Sequence, residues 1–145
     1  MSDEEDLYNP NSDPVIVLDD GSFIGTMKIR KLAFQGKGIL KAYAPWCGHC
    51  KSKVSCVNRL AEILPEFDVH VYVINVDANP MFKQHFKYKV IGYPTFLYVD
   101  DNGNIGDVIR DANGDQVYSV PGIIGALCGN DPRICAQQDK VKDCP

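Results

Sequence analysis

Residues 44–51 have the sequence Ala-Pro-Trp-Cys-Gly-His-Cys-Lys, which places Cys47 and Cys50 two residues apart. The preceding residues 39–44 are mostly apolar, as in a buried strand, and the residues that follow have a helical pattern. A cysteine at the start of a helix lies beside unpaired N–H groups and the positive end of the helix dipole. Both favour the thiolate, which is the form of cysteine that attacks disulfides. The stretch therefore predicts a reactive cysteine pair at a strand-to-helix corner.

Length, composition and charge limit the class of protein. The chain has 145 residues with 45% hydrophobic content, which suits one domain with a sizeable core. A net charge of −4 and the lack of a basic patch give no indication of nucleic-acid binding, and no apolar run is long enough to span a bilayer. As written, without a signal peptide or retention signal, the chain is expected to be cytoplasmic. Six cysteines are more usual in oxidising compartments, so a truncated N-terminus would point to an endoplasmic-reticulum-like or virion-associated protein.

The chain is expected to consist of three parts. Residues 1–14 are acidic and contain Asn9-Pro10 and Asp13-Pro14, which is typical of a flexible lead-in. Residues 15–128 are expected to form the folded domain, and residues 129–145 an irregular tail that contains cysteines.

Strands alternate with helices along the predicted domain. Strands are expected at residues 15–18, 39–44, 69–76 and 95–99, with a last strand at either 105–110 or 116–120. Helices are expected at residues 23–35, from the cysteine pair to Pro65, and at 79–87 and 121–127. This order predicts an α/β fold with a central mixed β-sheet flanked by helices.

Two motifs resemble one known family. Residues 43–51 resemble the active site of the catalytic domains of protein disulfide isomerases, with its Cys-Gly-His-Cys core. Gly92-Tyr93-Pro94-Thr95, at the start of a predicted strand, resembles the cis-proline segment of thioredoxin folds. The resemblance covers roughly residues 15–128. It implies a thioredoxin-like fold and a thiol–disulfide oxidoreductase that oxidises or isomerises disulfides in protein substrates.

The resemblance also implies roles for the residues of the motif. Cys47 is expected to be the outward sulfur that forms a mixed disulfide with the substrate, and Cys50 the shielded sulfur that resolves it. His49 is expected to stabilise the reduced dithiol, which raises the reduction potential and makes the disulfide a better oxidant.

Three further residues are expected to contact the substrate: Trp46, Tyr93 and Pro94. By resemblance, the Tyr93 backbone pairs with the substrate chain and the proline loop packs beside Cys47. Trp46 could equally be an ordinary core residue, and Pro94 an ordinary trans turn proline.

Lys41 departs from the family pattern, because the family has a buried acid six residues before the first cysteine. That acid is thought to move protons when the second cysteine resolves the mixed disulfide. If Lys41 is buried, its pKa falls and it could act as the base. Alternatively, its ammonium group stabilises the Cys50 thiolate, or a shifted register leaves the side chain exposed.

Four cysteines lie outside the motif. A Cys50–Cys56 disulfide is excluded within a helix, because six residues rise about 9 Å and disulfides need Cα atoms within about 7 Å. Cys56 is expected to be a small core residue. A Cys135–Cys144 bridge is preferred, although the other pairings, which include Cys128, stay open.

The leading hypothesis is therefore an enzyme of the disulfide-isomerase type. No bound cofactor is expected because the disulfide carries the two electrons, and no metal because a zinc site would need a second ligand pair. Expected partners are proteins with thiols or disulfides and a thiol or flavin-type redox partner for recycling, and the protein is expected to be a monomer. The alternatives are a thioredoxin-like disulfide reductase and a non-catalytic thioredoxin-fold binding module.

Overall fold

The computed structural model describes residues 6–145, and its centre is a five-stranded mixed sheet. The strands are β1 (Ile16–Leu18), β2 (Phe23–Ile24), β3 (Lys28–Ile29), β4 (Gly38–Tyr43), β5 (His70–Asn75), β6 (Thr95–Val99) and β7 (Ile105–Val108). The α-helices are α1 (Gly48–Lys51), α2 (Val54–Ile63), α3 (Pro80–His85), α4 (Val120–Cys128) and α5 (Pro132–Cys135). No helix in this part of the chain is long and apolar enough to cross a membrane.

The sheet has the strand order β1-β5-β4-β6-β7. Strand β5 pairs in parallel with both β1 and β4, whereas β6 is antiparallel to β4 and β7. The central position of β4 explains its apolar sequence, because all six of its residues are buried. The predicted mixed sheet is thus confirmed, with the parallel pairs on one side of β4 and the antiparallel pairs on the other.

The two faces of the sheet carry separate halves of the core, as the alternation of side chains along a strand requires. On one face, Ile39 and Tyr43 of β4 lie in a buried cluster with residues of α2 and α4. On the other face, Leu40 and Ala42 cluster with Phe82 of α3. Helices therefore cover both faces, and the carboxyl end of β4 leads to the cysteine pair.

The predicted helix over residues 23–35 is wrong. This segment contains the two-stranded antiparallel hairpin β2–β3, with Phe23 opposite Ile29. Both side chains are buried, so the apolar residues here serve a strand rather than a helix. Gly25 and Met27 have φ angles of 57° and 65°, and this left-handed backbone closes the turn and interrupts any helix.

The other predicted elements are largely confirmed. The predicted helices at 79–87 and 121–127 correspond to α3 and α4. The last sheet strand is β7, within the first of the two predicted alternatives, whereas Gln116 forms only an isolated bridge with Arg110. The helix that follows the cysteines is divided into α1 and α2, and a 3-10 turn at Leu64–Phe67 follows α2.

The expectation of a flexible lead-in is wrong for residues 6–14. Tyr8 is only 3% exposed and packs into the core on the α2 side of the sheet. A turn fixes the chain after it, since the Asp13 amide donates to the Asn9 carbonyl at 2.9 Å. Burial of one aromatic ring outweighs the acidic composition on which the expectation rested. The rest of the predicted lead-in, residues 1–5, lies outside the described residues.

The C-terminal segment is also ordered rather than irregular. Residues 129–145 contain α5 and a 3-10 turn at Gln138–Lys140. Ile134 and Val141, at 1% and 0% exposure, bury the segment against the core. The Arg59 guanidinium of α2 donates to the Lys140 carbonyl at 2.8 Å and pairs with Asp143 at 2.9 Å.

Two disulfides hold this segment, and neither is the expected Cys135–Cys144 bridge. Cys56 of α2 bonds Cys144 with a Cα–Cα distance of 6.0 Å, and Cys128 bonds Cys135 with a distance of 4.8 Å. Cys56 is buried as expected, but as a disulfide partner. The expectation favoured the short loop within the tail, whereas tertiary contacts bring the chain end back to α2.

Candidate active site

The cysteine pair lies at the corner between β4 and α1, as predicted. Cys47 is the residue before α1, and its sulfur accepts a hydrogen bond from the Cys50 amide at 3.1 Å. The first amides of a helix have no partner within the helix, so the Cys47 sulfur satisfies one of them. The local sequence thus directs a backbone N–H at the sulfur expected to react.

Both thiols of the pair are buried, and that of Cys47 is only slightly the more exposed, so the expected outward position of the Cys47 sulfur stays a prediction. Cys47 is 5% exposed and Cys50 is fully buried, and both are free, whereas the other four cysteines form disulfides. Burial raises the pKa of the Cys50 thiol to about 12, and its hydrogen bond with Cys47 acts in the same direction. Cys50 is therefore a thiol at neutral pH and must lose its proton before it can attack a disulfide.

The loop before β6 lies beside Cys47, as the resemblance implied. The Tyr93–Pro94 peptide bond is cis, so the trans alternative for Pro94 is wrong. The Cys47 thiol donates to the Tyr93 carbonyl at 3.5 Å. Within the loop, the Thr95 hydroxyl donates to the Gly92 carbonyl at 2.7 Å and fixes the entry to β6.

Trp46 is a surface residue, so the alternative that places it in the core is wrong. Its side chain is 57% exposed, and its indole N–H donates to the Asp77 carboxylate at 2.6 Å. The rings of Trp46 and Tyr93 pack edge to face, with 5.7 Å between their centroids. The two aromatic side chains form a partly exposed apolar surface next to Cys47.

His49 lies between the cysteines on the exposed side of α1. Its backbone carbonyl accepts a hydrogen bond from the Ser52 hydroxyl at 3.1 Å, and its imidazole faces solvent. This position is compatible with an effect on the neighbouring sulfur, and the role of His49 stays a prediction.

Lys41 is fully buried, so the alternative with an exposed side chain is wrong. Its amine donates to the Tyr8 hydroxyl at 2.7 Å and to the Cys50 carbonyl at 2.9 Å. Burial lowers the pKa of Lys41 to about 8, although the nearby thiols of Cys50 and Cys47 act in the opposite direction. The structure thus brings Lys41 to the buried side of the cysteine pair.

Sequence reasoning missed Tyr8 and Asp77. Tyr8 reaches Lys41 from a segment that sequence reasoning treated as flexible, and its only signal was the apolar pair Leu7-Tyr8 among acidic residues. Asp77 follows β5 and reaches Trp46 only because the ends of β4 and β5 meet at one edge of the sheet. In residues 6–145, no group of three or more His, Cys, Asp or Glu side chains is placed to hold a metal ion.

Comparisons of the sequence with family models and with known proteins agree on one family. The family model described as Thioredoxin matches residues 19–120. Protein disulfide isomerase-like 5-3 from Oryza sativa subsp. japonica is 33% identical over 96 residues, which cover 66% of this chain and 21% of the relative. Protein disulfide-isomerase 1 from Caenorhabditis elegans is 34% identical over 88 residues, which cover 61% and 17%.

A solved structure, mitochondrial thioredoxin 3 from Saccharomyces cerevisiae, is 30% identical, with a TM-score of 0.45 and coverage of 55% of this chain and 72% of that one. The chain spans about a fifth or less of the two curated relatives.

Proposed function

Because this chain belongs to the thioredoxin family, we propose that it oxidises or isomerises disulfides in other proteins, as enzymes of the disulfide-isomerase type do. The coarser activity is that of a thiol–disulfide oxidoreductase. One observation supports the proposal above the others: Cys47 and Cys50 are the two free cysteines, and Cys47 lies against the Tyr93 carbonyl of the cis-proline loop.

In the oxidising direction the site begins with a Cys47–Cys50 disulfide. A substrate thiolate attacks the Cys47 sulfur, the bond between the cysteines breaks, and Cys50 leaves with the electron pair and takes up a proton. A second substrate thiolate then attacks the substrate sulfur of the mixed disulfide, and Cys47 leaves as a thiolate. The substrate has gained one disulfide, and two electrons have passed to the cysteine pair.

The surroundings of Cys47 support a protein substrate. The exposed ring of Trp46 and the partly buried ring of Tyr93 offer apolar contact area. We propose that an extended substrate chain pairs with the backbone of the cis-proline loop. The partners we propose are therefore proteins with thiols or disulfides, and a thiol or flavin-type redox partner would restore the disulfide. We propose that the protein acts as a monomer.

The direction of transfer and the compartment are proposed on two observations. His49 stands between the cysteines, where an imidazole would stabilise the reduced dithiol and thus favour oxidation of the substrate. The bonded pairs Cys56–Cys144 and Cys128–Cys135 favour a compartment in which disulfides persist. We propose an oxidising environment rather than the cytoplasm expected from the sequence as written.

Refolding of scrambled ribonuclease tests the proposed function. Cys47→Ser should abolish turnover, because it removes the sulfur that forms the mixed disulfide. The control is Cys128→Ala/Cys135→Ala, which removes two sulfurs that lie outside the active-site pair and should keep the activity. Equal activity of Cys47→Ser and the wild type would show that the site is wrongly assigned.

The redox potential of the pair decides between oxidase and reductase. A potential near the roughly −180 mV of disulfide isomerases supports the proposal, whereas one near about −270 mV supports the thioredoxin-like reductase. Equilibration with glutathione buffers of known ratio measures this potential.

A further inference from the structure

Lys41 is a buried amine that has no acidic partner among residues 6–145. It is fully buried in β4, and none of the ion pairs found in residues 6–145 includes it. A buried ammonium without a carboxylate is costly, whereas a neutral amine is tolerated when its N–H groups are hydrogen-bonded. The two acceptors around it, the Tyr8 hydroxyl and the Cys50 carbonyl, are both neutral.

These two hydrogen bonds account for the donors of a neutral amine. An amine has two N–H groups and one lone pair, whereas an ammonium has three N–H groups. The contacts with Tyr8 at 2.7 Å and with Cys50 at 2.9 Å use two positions on the nitrogen. The third position is left to hold either a lone pair or a proton, next to the residue whose thiol must be deprotonated.

Several titratable groups face Lys41 from the elements packed against it: Tyr8, Tyr43, Cys47, Cys50 and Lys53. The negative charge that builds up on the thiols favours a protonated Lys41, and Lys53 disfavours it. Two acids lie next to these tyrosines: the Asp6 carboxylate accepts a hydrogen bond from the Tyr43 hydroxyl, and Asp13 is near Tyr8. A proton on Lys41 is therefore favoured when Cys50 is a thiolate and disfavoured when Cys50 is a thiol.

We propose that the Lys41 amine takes the proton of Cys50 when the mixed disulfide is resolved, and that the Tyr8 hydroxyl is the positioning group that holds this amine beneath Cys50. The inference rests on the proposed function. It adds a residue outside the 19–120 range matched by the family model, because Tyr8 belongs to the segment that precedes it.

The step balances without any other reactant. The proton of the Cys50 thiol moves to the nitrogen of Lys41, which leaves a thiolate and an ammonium. The Cys50 thiolate attacks the Cys47 sulfur, a bond forms between the two sulfurs, and the bond from Cys47 to the substrate sulfur breaks. The substrate leaves as a thiolate with the electron pair. In the oxidising direction the same ammonium returns the proton to Cys50 as it departs.

Tyr8 contributes two separable contacts. Its hydroxyl accepts the hydrogen bond from Lys41, and its ring lies 4.9 Å from the same nitrogen. Tyr8→Phe removes the first contact and keeps the second, so packing is retained. Burial raises the pKa of the Tyr8 hydroxyl, which therefore stays neutral and acts by position.

Rapid mixing of the reduced protein with oxidised glutathione tests the proposal. The chain has one tryptophan, Trp46, so its fluorescence reports the redox state of the neighbouring pair. Attack by Cys47 speeds up with glutathione concentration, whereas resolution by Cys50 reaches a constant rate. Acid quenching and mass measurement of the glutathione adduct identify the two phases.

Lys41→Met should slow the resolving phase roughly 100-fold at pH 8 and remove its inflection near that pH, while the Cys47 phase is kept. Tyr8→Phe should move the inflection down by about one pH unit, because the ammonium loses a hydrogen-bond acceptor. The matched control is Tyr72→Phe, which removes another buried hydroxyl, bound to the Gly36 carbonyl at 2.7 Å in the opposite core cluster.

An unchanged resolving rate in Lys41→Met would overturn the role of Lys41. An unmoved inflection in Tyr8→Phe would overturn that of Tyr8. Failure of the proposed function would look different, because the wild type itself would then lack the Cys47 phase.

Discussion

The Cys56–Cys144 disulfide should be the largest single covalent contribution to stability. It joins α2 to the chain end across a separation of 88 residues, whereas Cys128–Cys135 spans 7. In the chain-entropy treatment, a cross-link stabilises by restricting the unfolded chain, and the effect grows with loop length. The long loop corresponds to about 4.5 kcal/mol and the short one to about 2.4 kcal/mol.

Contacts in the native state should survive the loss of this bond. Arg59 still binds the Lys140 carbonyl and Asp143, and the Pro145 carbonyl still accepts from the Val120 amide at 3.1 Å. The C-terminal segment should thus stay docked, and the loss of stability should arise in the unfolded state. Removing the cross-link lets the unfolded chain expand, so the dependence of unfolding on urea should also become steeper.

Urea unfolding of Cys56→Ala/Cys144→Ala measures the effect. The background should carry alanine at Cys47 and Cys50, so that the structural disulfides are the only redox-sensitive groups. The matched comparison is Cys128→Ala/Cys135→Ala in the same background. A loss for the long-loop variant no larger than that for the short-loop variant would refute the reasoning from loop entropy.

Three further predictions concern the site. Between pH 8 and 10.5 the unfolded chain binds the Lys41 proton more tightly than the native chain does. The free energy of unfolding of the wild type should therefore rise by about 3 kcal/mol over this range relative to that of Lys41→Met. If urea unfolding gives the two proteins parallel dependences on pH, this prediction is contradicted. His49→Pro should lower the reduction potential by tens of mV towards the thioredoxin range of about −270 mV, measured against glutathione, and an unchanged potential would count against a role for His49. Trp46→Ala should cost less than about 1 kcal/mol of stability because the ring is exposed. It should nevertheless reduce the turnover of scrambled ribonuclease more than the rate of reaction with oxidised glutathione. Equal effects on both reactions would argue against a role of Trp46 in binding protein substrates.

Much of the sheet and the corner could be predicted from the sequence. The apolar residues 39–44 predicted a strand, and the structure shows that it is central and buried on both faces, which explains why nearly every position is apolar. The resemblance of the cysteine motif and of the Tyr93-Pro94 pair to a known family implied that the loop before β6 lies beside Cys47. The hairpin β2–β3 was missed because its turn depends on the left-handed backbone of Met27, which sequence spacing does not reveal.

By itself, the sequence determined most of the strands and helices from residue 39 to residue 127, the reactive pair Cys47 and Cys50, and the presence of a lysine where an acid was expected. These features depend on residue types and short-range spacing. The tertiary structure alone decided that Cys56 bonds Cys144 and that Tyr8 accepts a hydrogen bond from Lys41. Both contacts join residues more than thirty positions apart, and such contacts depend on how the two chain ends pack against the α2 side of the sheet rather than on any local pattern.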